Sequence, residues 1–180
     1  ARLLAQGGHT VRRATSRTPS APDQVQLDAA TGQGLAAAMK GADAAFLLAP
    51  PGHASHDVLL KPMIDAAVAA RVGKVVLMTA MGANADDNAP MRKAERHLEA
   101  SGLAWNIIRP NWFMQDFIDE RFFGNLIRRE GVIVMTTGGS AMSWIDFDSP
   151  RVFFSPAAFT TGTISPFSSA TAMPRLISLR

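Results

Sequence analysis

Ala44-Ala45-Phe46-Leu47-Leu48-Ala49 runs six residues without a polar side chain and is cut off by Pro50-Pro51-Gly52. A segment of strand length that is polar on neither side suits a strand buried on both faces of a parallel sheet. The same unit then recurs downstream. Leu60, Ile64, Ala67 and Val68 fall at helical spacing, with Pro62 read as lying near the first turn, where proline is tolerated. Val75-Val76-Leu77-Met78-Thr79 follows as a strand, Ala94 to Ser101 as a helix stopped by Gly102, and Trp105 to Ile108 as a strand stopped by Pro110.

Upstream, Leu3 and Leu4 belong to the last turns of a helix stopped at Gly7-Gly8. Thr10 to Ala14 and Val25 to Leu27 read as short strands around a Pro/Ser/Asp loop, and Leu35, Ala38 and Met39 as a brief helical face closed by Gly41. Strands alternating with helices predict βαβ units and an α/β, doubly wound parallel sheet of Rossmann type. The start at Ala1, within a helical pattern, reads as an internal fragment.

Composition narrows the function. The chain of 180 residues is 47% hydrophobic, enough for one sizeable core. It contains no cysteine, which excludes disulfides and thiolate chemistry and fits a cytoplasmic setting. No apolar stretch approaches membrane-spanning length, so no membrane association is expected. The pI of 9.9 suggests nucleic acid, but the charge distribution argues against it. Residues 1–150 hold 15 Lys+Arg against 15 Asp+Glu, and the net charge of +3 comes from Arg151, Arg175 and Arg180. A neutral body lacks the clustered basic face that phosphate backbones require.

Composition changes near residue 147. Residues 151–180 carry 12 Ser, Thr or Pro, no acidic residue and no periodicity, so 147–180 reads as an irregular or disordered tail after a partial domain at 1–146. A shifted reading frame in GC-rich coding DNA is an alternative source of such a tail, consistent with 14 Arg against 4 Lys.

The segments GHTVRRATSR, FLLAPPG, KVVLMTAMGA, KAERHLEASGLAWNIIRPNWFMQDF and GVIVM, spanning roughly residues 1–146, resemble the NmrA-like branch of the short-chain dehydrogenase/reductase superfamily. That branch includes NAD(P)H-dependent quinone reductases and cofactor-sensing regulators. The resemblance implies a first strand and a glycine-rich phosphate-binding turn ahead of Ala1, neither of which is in this sequence. It places Arg17 against the adenosine 2′-phosphate. The absence of a carboxylate from Ala14-Thr15-Ser16-Arg17 points the same way, since NAD-selective sites carry an acid at this strand end. A solvated loop arginine is the plainer alternative.

The same resemblance sets Asp28 beside the adenine, although Leu27 precedes it where relatives carry glycine. It sets Leu48, Ala49 and Pro50 along the pyrophosphate and ribose, and Pro110 and Phe113 at the nicotinamide end. Thr79 matches the catalytic Ser or Thr position, its hydroxyl able to donate to a substrate carbonyl, but a β-branched residue ending a strand is also ordinary. Lys93 matches a lysine that reaches the nicotinamide ribose; flanked by Arg92 and Arg96, it equally suits a solvated face.

One departure bears on chemistry. The sequence contains no tyrosine, and Ala89 stands four residues before Lys93, where the superfamily's proton donor belongs. Hydride transfer to a quinone or similar small-molecule acceptor survives this loss, because the cofactor carries the chemistry. The expectation is therefore an NADP(H)-preferring oxidoreductase domain, with a non-catalytic NADP(H) sensor as the alternative. His53, His56 and Asp57 read as a polar loop entering a helix, not as a metal site, and no metal is expected.

Overall fold

Apolar strands of four or five residues separated by amphipathic helices have to stack on one another to bury their faces. The computed structural model describes residues 1–50, 52–133, 142–146 and 152–155. The chain divides into two compact units, 1–109 and 110–180.

The first unit carries helix α1 (Arg2–Gln6), strands β1 (Arg13–Thr15) and β2 (Gln24–Gln26), helix α2 (Leu35–Met39), strand β3 (Ala44–Leu47), helix α3 (His56–Ala69), strand β4 (Lys74–Met78), helix α4 (Pro90–Glu99) and strand β5 (Ala104–Ile108). β1 and β2 pair in parallel, and β3, β4 and β5 form a second parallel sheet in that order. Among the described residues no ladder joins β1 to β3. The α/β parallel architecture thus matches the sequence reading. The two sheets part at the position where a strand ahead of β1 was expected.

Register explains how the larger sheet is covered. Ala45, Val75 and Trp105 are aligned across the strands, as are Leu47, Leu77 and Ile107. Side chains alternate between faces with a period of two, so these rows share one face. Most of them join Leu60, Met63, Ile64 and Ala67 of α3 and Ala94 and Leu98 of α4 in the core. The opposite face carries Phe46, Leu48 and Ile108, all largely exposed, with Phe46 at 54%.

Two details depart from the sequence reading. α3 starts at His56, so Pro62 lies in mid-helix instead of near its first turn. An interior proline costs about 3 kcal/mol. The helix nevertheless buries Leu59, Leu60, Met63 and Ile64, at roughly 1.5–3 kcal/mol each, which outweighs that cost. His56 and Asp57 form the first turn, where Asp57 favours the positive end of the helix dipole and pairs with Lys61 at 3.8 Å.

α2 is short, and its ends are fixed from outside. At its N-terminus Gly34 adopts φ +87°, and a Cβ there would run into the carbonyl of Gln26. At its C-terminus the Arg12 guanidinium donates to the carbonyls of Ala37, Ala38 and Lys40 at 3.3, 3.0 and 2.9 Å. A cation there satisfies carbonyls that the helix leaves open.

The second unit has β6 (Trp112–Phe113), a 3-10 turn at Met114–Phe117, α5 (Gly124–Glu130), β7 (Met142–Ile145) and β8 (Val152–Ser155). β6 pairs β7 in parallel and β7 pairs β8 antiparallel. Within the segment expected to be irregular from residue 147, Val152–Ser155 is a strand; the rest of that segment lies outside the described residues.

Candidate functional site

In each parallel sheet the strands run the same way, so the residues just past their ends collect along one edge. Ligands of open α/β sheets bind at that carboxyl edge. Arg17 lies two residues past β1, Asp28 two past β2, Leu48 to Pro50 directly past β3, Thr79 directly past β4 and Arg109 directly past β5.

Arg17 is exposed, and its backbone N–H donates to Thr15 Oγ1 at 3.2 Å. Asp23 lies at the other end of this sheet, just before β2, where Arg13 donates to it through Nε at 2.6 Å and a terminal nitrogen at 2.8 Å. These bonds hold the Asp23 carboxyl below its ordinary range. Asp28 builds its own turn, its Oδ1 accepting from the backbone N–H of Ala30 at 2.9 Å and Thr31 at 3.3 Å. The Ala30 bond leads in lowering its pKa. Leu48 and Pro50 are exposed and Ala49 is half-buried.

Thr79 continues the alternation of Val75 and Leu77, which turns it towards α4. There its hydroxyl donates to Glu95 at 2.7 Å. Arg109 continues the alternation of Ile107 and reaches the same carboxylate with two bonds of 2.8 Å. Arg92, one turn earlier on α4, adds a bond of 3.0 Å and also holds Glu99 at 2.7 and 3.2 Å. Glu95 itself has no solvent exposure. Burial is the largest single influence on its carboxyl and pushes the pKa up, but the bonds from Arg109, Thr79 and Arg92 together outweigh it, and the pKa ends below the ordinary 4.5.

Glu95, Arg92 and Arg109 were missed from the sequence. The available signal was a glutamate between Ala94 and Leu98 on the core side of an amphipathic helix, where an ion needs partners.

Lys93 is exposed. Two residues along a helix is a rotation of about 200°, so Lys93 points away from the side on which Glu95 meets Thr79, and the two proposed catalytic residues are not brought together. In the second unit, the Phe113 backbone N–H donates to Asp116 at 3.3 Å, and burial raises the Asp116 pKa. Trp112 and Phe117 each meet the Phe123 ring, at centroid distances of 5.8 and 5.9 Å, and Phe117 meets Trp144 at 5.6 Å. Asn111 donates to Ser143, and Pro110 is half-buried. No group of three or more His, Cys, Asp or Glu among the described residues can hold a metal. No helix among them is long and apolar enough to cross a membrane.

The sequence pattern of the NAD(P)H-binding family matches residues 1–122. Prestalk A differentiation protein A of Dictyostelium discoideum is 29% identical over 107 residues, covering 59% of this chain and 34% of that protein. Among solved structures, a nucleoside-diphosphate-sugar epimerase of Staphylococcus aureus superposes with a TM-score of 0.65 at 16% identity, over 81% of this chain and 56% of the other. An NADPH-dependent quinone oxidoreductase of Escherichia coli, complexed with NADPH, superposes at 0.56 and 17% identity, over 68% and 44%. The Citrobacter triphenylmethane reductase complexed with NADP(H) gives 0.56 and 15%, over 68% and 44%. The chain thus spans about a third of the curated relative and about half of these structures.

Proposed function

The chain belongs to the NAD(P)H-binding family, and on that premise we propose that it forms the cofactor-binding part of an NmrA-like oxidoreductase that prefers NADP(H) and reduces a quinone or similar small-molecule acceptor. The observation that carries the reading is the edge past β1: an exposed Arg17 and no carboxylate in residues 14–17. An arginine without an acid at its own strand end suits a 2′-phosphate better than a free ribose diol.

When bound, the cofactor supplies the hydride. Residues of the first unit would hold it: Arg17 at the phosphate, Asp28 at the adenine side, Leu48, Ala49 and Pro50 along the middle, and Thr79 towards the nicotinamide. The domain in this proposal runs over residues 1–146, acts in the cytoplasm, and engages neither nucleic acid nor membrane.

The absence of tyrosine supports a second reading, a non-catalytic NADP(H) sensor. NADPH consumption measured against a panel of quinones, beside a direct NADPH titration, separates the two. Turnover supports the oxidoreductase, binding without turnover supports the sensor, and no binding refutes both.

A further inference from the structure

A hydroxyl has one proton and two lone pairs. The Thr79 proton is committed to Glu95, which is held ionised between Arg92 and Arg109 and can only accept. Thr79 is itself only 8% exposed, and what its hydroxyl has left to offer is lone pairs. We propose that Glu95 is a positioning residue that fixes Thr79 as a hydrogen-bond acceptor, so that the ligand group seated at Thr79 is an N–H or O–H donor of the nicotinamide half of NADP(H), not a carbonyl.

This inference rests on the NADP(H) reading and adds the polarity of one contact to it. It differs from the sequence expectation, in which the Thr79 hydroxyl donates to a substrate carbonyl. The same carboxylate ties the ends of β4 and β5 to α4: Thr79 follows β4, Arg109 follows β5, and the Thr79 backbone N–H donates to the Ile108 carbonyl at 2.9 Å. A group at Thr79 is therefore held from three elements, as a site on a rigid scaffold requires.

Replacing Glu95 by glutamine has a definite consequence. Oε1 now receives Thr79 and one Arg109 nitrogen, whereas Oε2 receives two guanidinium N–H groups, from Arg109 and Arg92. An amide nitrogen at the Oε2 position would oppose two donors. At the Oε1 position it opposes one, and Thr79 can turn to accept from it. The glutamine amide therefore settles with its nitrogen towards Thr79 and turns the hydroxyl proton outwards, which reverses the polarity of the site.

The test compares two probes in the intact protein: NADPH, and adenosine 2′,5′-bisphosphate, which lacks the nicotinamide half. Thr79→Val should weaken NADPH about threefold to tenfold, leave the bisphosphate unchanged, and be rescued by Thr79→Ser. Glu95→Gln should weaken NADPH alone to a similar degree, and Thr79→Val combined with Glu95→Gln should lose no more than either single change. If Glu95→Gln does not fold, the acetylpyridine analogue of NADPH carries the decision, since Thr79→Val alone removes donor and acceptor together. The acetylpyridine analogue of NADPH lacks the carboxamide N–H but keeps a carbonyl: insensitivity to Thr79→Val assigns the carboxamide N–H, whereas continued sensitivity assigns a ribose hydroxyl where Glu95→Gln weakens NADPH and overturns the inference where it does not. Equal weakening of both probes by Thr79→Val, or of neither, overturns the inference while the cofactor reading stands. Failure of the wild type to bind either probe overturns the cofactor reading itself.

Discussion

Replacing Arg109 by methionine should destabilise the chain at neutral pH and raise the Glu95 pKa. The substitution keeps most of the side-chain volume but removes both 2.8 Å bonds to a carboxylate that has no solvent exposure. Breaking a buried ion pair from one side costs about 3–5 kcal/mol. Arg109 is about a third exposed and Glu95 keeps Thr79 and Arg92, so the cost should fall below that range, at about 2–3 kcal/mol. For a chain of this length that is a fall in Tm of roughly 5–10 °C.

The pH dependence carries the diagnostic sign. In the wild type the Glu95 pKa is lowered below 4.5, so its contribution is present above that value and is lost as the pH falls through the folded pKa. Without Arg109, the burial that pushes the carboxyl up is opposed only by Thr79 and Arg92, so the pKa rises and less of the ionised form's stabilisation remains at neutral pH. The gap between wild type and variant should therefore be widest near pH 7 and close as the pH falls through the acid range. Urea denaturation at several pH values measures both parts. A gap that stays constant with pH, or a Tm within a degree of the wild type at pH 7, would refute the account of Glu95.

Arg17→Ala should weaken NADPH about tenfold to a hundredfold and leave NADH nearly unmoved in parallel titrations; equal losses would remove Arg17 from the phosphate. Gly34→Ala combines φ +87° with a collision at the Gln26 carbonyl, and chemical denaturation should show a loss of about 2 kcal/mol or more, whereas a neutral result would mean that the turn relaxes freely. Reduction of simple ketones through a phenolic acid should be absent, since the sequence contains no tyrosine; a bell-shaped pH–rate profile reporting such a group would contradict this.

Periodicity made the larger sheet legible. The apolar runs at residues 44–49, 75–79 and 105–108 have no partner but one another and the helices between them, and all three are strands in the structure. Boundaries were less legible. α3 begins four residues before Leu60 because Asp57 and Lys61 supply the polar side of a first turn that apolar spacing alone does not mark. At the site, the strand-end positions of Arg17, Asp28 and Thr79 followed from pattern, but Glu95 did not. Its place between Ala94 and Leu98 on the core side says only that it needs partners; that Arg109 and Thr79 converge on it from two strands is a tertiary fact. Arg12 escaped notice for the same reason: its partners are backbone carbonyls about 25 residues further along the chain.

The break between the two parallel sheets also bears on how the first unit opens. β1 and β2 share a ladder of three residue pairs. Their block reaches the core through Leu27 and, by way of α2, Met39, and is fastened to α2 by the Arg12 guanidinium. With no backbone ladder to β3, little couples its opening to the unfolding of β3, β4 and β5. Hydrogen exchange should report two cooperative units here: fast, low-energy exchange at the amides of Arg13 and Leu27, and exchange near the global limit at those of Val75 and Leu77. The Arg17 and Asp28 end of the candidate site would then fluctuate on its own, while the Thr79 end remains closed.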